Sequence, residues 1–406
     1  MKSVISTALA ILAAVAFADW TSIGPEGGPI YCGAVAPTTP PTIYVAATGS
    51  GIPLLKTCDG GQNWQSAGAT LSSYAQVLVP HPNDTNTIYG VYSSVFCRTT
   101  NGGASWTTTS LGSNTYGQDI AVNPLNPEVI YVASFKYDSA WRMTSLKSTN
   151  GGQSWTPTQL DTFPTTSVYS VALDPVDTNV VYVGAYVDTF SVVYKSTDCG
   201  STWTPFNLPV RLYNYVYSLY VNPTDHNIVF AGALYGVFRS TDAGETWTRQ
   251  STNNYNYRIV SVPGKPDLMY SAAYSNVYRS TDAGITWSAC GAGVQGTTVR
   301  TVLAVPGESS TVYCGSTAGM FKSTDCGATW NQVNHGIVIG KISVVSFDPG
   351  SPGTAFVEFI DNDIFKTTDD GLTWAPQNSP LSCGNLCNIL FDPVDPQRIW
   401  MLEASG

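Results

Sequence analysis

Thr57-Cys58-Asp59-Gly60-Gly61-Gln62-Asn63-Trp64 is a phrase that the chain repeats seven more times. It returns as Thr99 to Trp106, Ser148 to Trp155, Ser196 to Trp203, Ser240 to Trp247, Ser280 to Trp287, Ser323 to Trp330 and Thr367 to Trp374. The common pattern is Ser/Thr-x-Asp/Asn-x-Gly-x-Thr/Ser/Asn-Trp. Its closing Trp recurs every 40 to 49 residues and accounts for eight of the chain's 11 tryptophans. A fixed period of that length marks an array of small supersecondary units, each needing its neighbours to bury its apolar face.

Each phrase follows a short apolar stretch ending in Lys or Arg, such as Val237-Phe238-Arg239, and a new strand begins at its Trp. It therefore reads as a hairpin loop. The carboxylate or amide at Asp59, Asn101, Asn150, Asp198, Asp242, Asp282, Asp325 or Asp369 can accept hydrogen bonds from the amides that follow it, and the next-but-one Gly tolerates positive φ. Because Asn101 and Asn150 serve as well as Asp, the position is structural; a general acid or base needs a titratable group. Trp64, Trp106, Trp155, Trp203, Trp247, Trp287, Trp330 and Trp374 each supply an apolar plate for the adjacent sheet. Two more strands precede each hairpin, as in Ser218 to Val221 and Ile228 to Ala231, joined by turns such as Asn222-Pro223. Four short strands per period predict an all-β propeller. The count is eight complete blades, with remnants at Trp20 to Ser22, Asn388 to Phe391 and Arg398 to Glu403 forming an incomplete ninth at the termini.

These residues resemble the BNR repeat, or Asp-box, of sialidases, sortilin-type receptors, two-domain xyloglucanases and a photosystem assembly factor. The resemblance covers the chain from Trp20 to its end and implies a β-propeller with each box between the third and fourth strands of a blade. The catalytic signatures of those families are not matched. The nearest strings to the Arg-Ile-Pro of sialidases are Arg258-Ile259-Val260 and Arg398-Ile399-Trp400, and the first box reads Lys56-Thr57-Cys58-Asp59-Gly60-Gly61 where xyloglucanases have a segment like Arg-Thr-Asp-Val-Gly-Gly.

Composition bounds the rest. Among 406 residues, 11% are charged, 43% are hydrophobic and the net charge is −10, which excludes disorder and argues against nucleic-acid partners. Lys2, the uncharged run Val4 to Ala16 and then Ala16-Phe17-Ala18 read as a signal peptide over residues 1–18, leaving a propeller domain over 19–406, secreted to the extracellular space or periplasm. No run is long enough for a membrane-spanning helix. Nine cysteines in an oxidising compartment suggest disulfides, with Cys383 and Cys387 the best pair. Three scattered histidines and no Cys-x-x-Cys predict neither metal nor cofactor.

Functional residues in a repeat array are expected where the repeats differ. Aligning the blades places the residues that begin each first strand on one ring: Tyr31, Tyr74, Gln118 with Asp119, Tyr169, Tyr217, Tyr257 with Arg258, Arg300, Ser343 and Asn388. Tyrosine faces stack on sugars or anchor peptides, and two arginines can hold a carboxylate or sulfate. The third blade inserts Phe135 to Met143, placing Tyr137, Trp141 and Arg142 on the same side. The expected function is a monomeric module binding an extracellular glycan or protein. The alternatives are a glycoside hydrolase, for which Asp119, Asp138 and Asp188 are the candidate carboxylates, and a structural cell-surface component.

Overall fold

A computed structural model describes residues 28–47, 52–71, 75–160, 166–211, 215–253, 255–294, 297–335, 337, 342–348, 351, 354–359, 364–369, 375–377, 386–391 and 399–403. The segment read as a signal peptide, Tyr74, Trp374 and Cys383 lie outside them, as do the side chains of Ser343, Cys387 and Asn388.

Eight antiparallel four-stranded sheets follow one another along the chain, spanning 30–71, 77–110, 115–159, 166–211, 216–249, 258–289, 299–332 and 342–377, with a two-stranded sheet over 386–403. In each four-stranded sheet the strand order is the sequence order. Apolar clusters fill the gaps between successive sheets. Tyr131, Ala133 and Met143 of the third blade, for example, pack with Val168, Val171 and Val183 of the fourth.

The expected eight-plus-one ring does not form, because closure occurs at seven. The first strand of the first sheet, Ile30–Ala36, packs on Val299–Ala304 and Val312–Ser316 of the seventh, so Ile30, Val45 and Leu55 share a core with Leu303, Tyr313 and Met320. Gly315 permits the approach: a Cβ there would lie 2.6 Å from Ile30 Cγ2. Trp64 Nε1 donates to Val333 O at 2.7 Å across the same seam. The eighth sheet therefore stands outside the closed ring, its first strand Ile342–Phe347 packed against Leu386–Phe391 of the two-stranded sheet. Counting boxes counts blades along the chain; the ring size follows from which faces meet.

Each box is stapled as its composition suggests. In the sixth blade Ser280 Oγ donates to Asp282 Oδ1 and accepts from Gly284 N at 2.9 Å, while Thr286 gives its amide to Oδ1 and its hydroxyl to Oδ2. In the second and third blades the amide groups of Asn101 and Asn150 reproduce this with Ser105 and Ser154. The boxes also lock neighbouring blades. Tyr313 Oη and Lys322 Nζ of blade seven both donate to Gly60 O in the first box, with the ammonium 5.4 Å from the tyrosine ring centre. Tyr131 and Lys147 do the same for Cys199 O. Lys56 and Arg279 likewise reach Gly102 O and Cys326 O in the following blades.

The seven described cysteines, Cys32, Cys58, Cys97, Cys199, Cys290, Cys314 and Cys326, form no disulfide, contrary to the general expectation from their number. They are distributed over separate repeats, and Cys32, Cys97 and Cys314 are buried as small apolar side chains. The expected Cys383–Cys387 bridge lies outside the described residues. Among the described residues no helix is long and apolar enough to cross a membrane, and no cluster of His, Cys, Asp or Glu could hold a metal.

Candidate functional site

A repeated β-bulge builds the site. At the start of the first strand, the ladder to the second strand skips one residue: Tyr31, Gln118, Tyr169, Tyr217 and Arg300 in blades one, three, four, five and seven. In blades two and six, Gln76 and Tyr257 stand just before the first paired residue, their amides bonded to Val91 O and Ala272 O. A bulged residue belongs to neither face of the sheet and is re-aimed by the local bend. In all seven blades that residue lines one axial cavity of about 80 Å³, together with Cys32, Asp119, Arg258 and Thr301. Such a volume admits several waters or one small polar group.

In blades three, four and five the residue after the bulge ties the first strand to the next. Ser170 Oγ donates to Val216 O at 3.0 Å, and Ser218 Oγ accepts from Ile259 N at 3.0 Å. Asp119 occupies this position in blade three, with Oδ2 accepting from Val171 N of blade four and Oδ1 from Ile120 N, both at 3.0 Å. Its carboxyl is buried and lies 3.7 Å from Arg258 Nη1 of blade six. Burial raises the Asp119 pKa above the usual carboxylate range; Arg258 and the two amides partly offset this. Arg300 is held between rings, its guanidinium carbon 4.9 Å from the Tyr31 centre and 4.4 Å from that of Tyr257.

From the cavity a run of tyrosines crosses blades four to six. Tyr169 meets Tyr215 and Tyr217 at 5.1 and 5.4 Å between ring centres, and Tyr217 meets Tyr257 at 5.2 Å. Tyr255 joins Tyr257 to Tyr274, whose side chain is exposed. Burial pushes the phenols of Tyr169, Tyr217 and Tyr257 up, so they are neutral donors and acceptors.

The third-blade insertion is not an irregular loop. Its flanking strands, Ile130–Tyr137 and Trp141–Ser148, extend into a hairpin with Tyr137 opposite Trp141 and a turn closed by the Lys136–Asp138 ion pair at 3.0 Å. Tyr116, Phe135, Tyr137 and Trp141 form one aromatic cluster, with Tyr137 and Trp141 largely exposed. The hairpin tip and the start of the first strand lie at the same end of the sheet; the box lies at the other end of Trp141–Ser148. The structure therefore brings Tyr169, Tyr217, Tyr257, Arg258, Arg300 and Asp119 to one cavity, while Tyr137, Trp141, Arg142 and Asp138 stand beside it on the hairpin without lining it. Asp188 sits in the turn between Val181–Val187 and Phe190–Ser196 with φ 56° and does not line the cavity. Tyr215 and Tyr255, from the Tyr- and Asn-rich connections Phe206 to Tyr217 and Asn253 to Arg258 that the sequence marks as extensions of this surface, do extend it, and Tyr274 continues it without a signal in the sequence.

A family model of the BNR/Asp-box repeat matches residues 278–289, the sixth-blade box and its flanks. The chain is a BNR/Asp-box β-propeller. A search of characterised proteins by sequence finds no relative. Among solved structures, the propeller is similar to an ancestral GH74 enzyme at a TM-score of 0.62 and 17% identity, over 95% of this chain and 67% of that one. It is also similar to the extracellular domain of a B. thetaiotaomicron protein described as a hybrid two-component system, at a TM-score of 0.55 and 14% identity, over 94% of this chain and 50% of that one. At these identities the likeness concerns the fold, and the propeller spans only two thirds and half of their lengths.

Proposed function

We propose that this propeller is a secreted carbohydrate-binding module that seats its ligand across the tyrosine run and the axial cavity. The observation that carries this reading is the continuity of Tyr169, Tyr215, Tyr217, Tyr255, Tyr257 and Tyr274 from cavity to surface. Half-buried rings with hydroxyl edges present apolar faces for pyranose C–H groups and hydrogen-bonding partners for their hydroxyls. The hairpin aromatics Tyr137 and Trp141 supply a second stacking surface at the same end of the third blade.

A glycoside hydrolase is the second reading, favoured by Asp119, a buried carboxyl group whose pKa burial raises, inside the cavity. Inverting hydrolysis uses two carboxyls about 6.5–9.5 Å apart. Asp119 is the one acidic residue among those lining the cavity, and it is engaged by two backbone amides, which supports binding without chemistry. A polysaccharide panel separates the readings. Binding that Trp141→Ala with Tyr217→Ala weakens, without release of reducing ends, supports the module. Release of reducing ends that Asp119→Ser abolishes would establish the enzyme.

A further inference from the structure

We propose that the axial cavity takes the carboxyl group of an acidic sugar together with one proton, Arg258 and Arg300 holding the carboxylate and Asp119 the proton. The proposal rests on the carbohydrate-binding reading and adds to it the acid group and its proton.

Two arginines face this small cavity, and among the described residues neither makes a hydrogen bond within the protein. Arg258 has Asp119 Oδ1 at 3.7 Å, beyond hydrogen-bond length. Arg300 lies between the rings of Tyr31 and Tyr257, and its Nε is buried without a hydrogen-bond partner. Of the cations that precede the boxes, Lys56, Lys147, Arg279 and Lys322 each donate to a box carbonyl at 2.6–3.1 Å, whereas Arg98 and Arg239 share with Arg300 a buried Nε without a partner but stand outside the cavity. A planar, two-oxygen anion is the group whose geometry such forks match, and one carboxylate fits the volume.

The proton follows from Asp119. A ligand carboxylate entering this cavity brings a second negative charge beside a buried one, and such a pair holds a proton between its members. The other titratable groups facing Asp119 are Cys32, Tyr31, Tyr169, Tyr217 and Tyr257, alongside the charged Arg258 and Arg300. Burial pushes Cys32 up to about 12 and raises Tyr169, Tyr217 and Tyr257, so these four stay protonated from acid to neutral pH. The proton is taken from solvent onto Asp119 as the ligand binds, and Arg258 turns from Asp119 to the ligand. Affinity therefore rises as pH falls from neutral, until the ligand's own carboxyl protonates.

The test is calorimetric titration of the full chain with trigalacturonate and with its carboxyl-reduced trisaccharide, near pH 6, in two buffers of different ionisation enthalpy. The expected result is trigalacturonate binding at least about tenfold tighter than the reduced form, with net uptake of up to about one proton. Arg300→Gln and Arg258→Gln should erase the preference. Asp119→Ser, which keeps the amide acceptor that Ser218 provides in blade five, should erase the proton uptake while the melting temperature reports folding. Equal binding of the two trisaccharides overturns the acid and leaves the carbohydrate reading standing. Tight acid binding with no proton uptake in the unmodified protein overturns the proton, and failure of both sugars to bind counts against both readings.

Discussion

Trp247 and Asp282 stand in equivalent turns of adjacent blades, and they stabilise the fold in different ways. Trp247 is buried and its Nε1 caps Gly244 O at 3.0 Å, so Trp247→Ala should cost about 3–5 kcal/mol, read from the denaturation midpoint. Asp282→Asn should cost less than about 1 kcal/mol, since Asn101 and Asn150 make the same bonds. A denaturation series in which Asp282→Asn proved the costlier change would refute this account of the box. The carboxylates also set the acid limit. Hydrogen bonds from the Thr286 hydroxyl and amide hold Asp282 at about 2, and similar bonds hold Asp59 and Asp325 there. A folded-state pKa below the unfolded value gives stability that is complete above the unfolded pKa and is lost as pH falls through the folded one. Stability should therefore decline between about pH 4 and pH 2, and a chain with Asn in these three boxes should show a shallower decline in urea midpoints over that range.

At the scale of elements, the first strands carry the site and the third-blade hairpin frames it. In Val216-Tyr217-Ser218-Leu219, the two apolar residues share one core although three positions apart, which plain alternation forbids. The bulge at Tyr217 makes up the difference. Tyr217→Ala should then leave the melting temperature nearly unchanged, whereas deleting Tyr217 should slip the strand and turn Val216 off its core, lowering the melting temperature sharply. Equal effects of the two changes would show that Tyr217 itself packs the blade. The sequence made the ring of first-strand positions legible, because the Pro that ends each strand aligns them. It did not make the bulge legible, although the same odd spacing recurs in Val168-Tyr169-Ser170-Val171 and Val299-Arg300-Thr301-Val302. Nor did it show Asp119 as an inter-blade acceptor: a lone Asp at a position that holds Ser170, Ser218 and Thr301 in other blades looks like a catalytic candidate until its amide partner in blade four is seen.

For the whole molecule, the box repeat made the blade type legible and left the ring size open, because each box knows only its neighbour. Closure depends on contacts between residues about 250 positions apart, such as Tyr313 with Gly60, which no local pattern records. Tyr313→Phe removes one of two donors to Gly60 O and should cost about 1 kcal/mol; adding Lys322→Met should cost more than the sum of the separate changes, measurable by a double-mutant cycle. A chain stopped after Gly340 retains all seven ring blades, and its main melting transition should match that of the full chain. Loss of that transition would mean that the eighth sheet is needed for closure. The bulges have a further consequence. Folding makes its demands on the two faces of each first strand, and the skipped or preceding residue answers to neither, so seven side chains around one axis are constrained by one another more than by the blades. Such a frame works as a combination lock: new specificities can be dialled by exchanging Tyr31, Gln76, Gln118, Tyr169, Tyr217, Tyr257 and Arg300 in matched sets while the blades stay as they are.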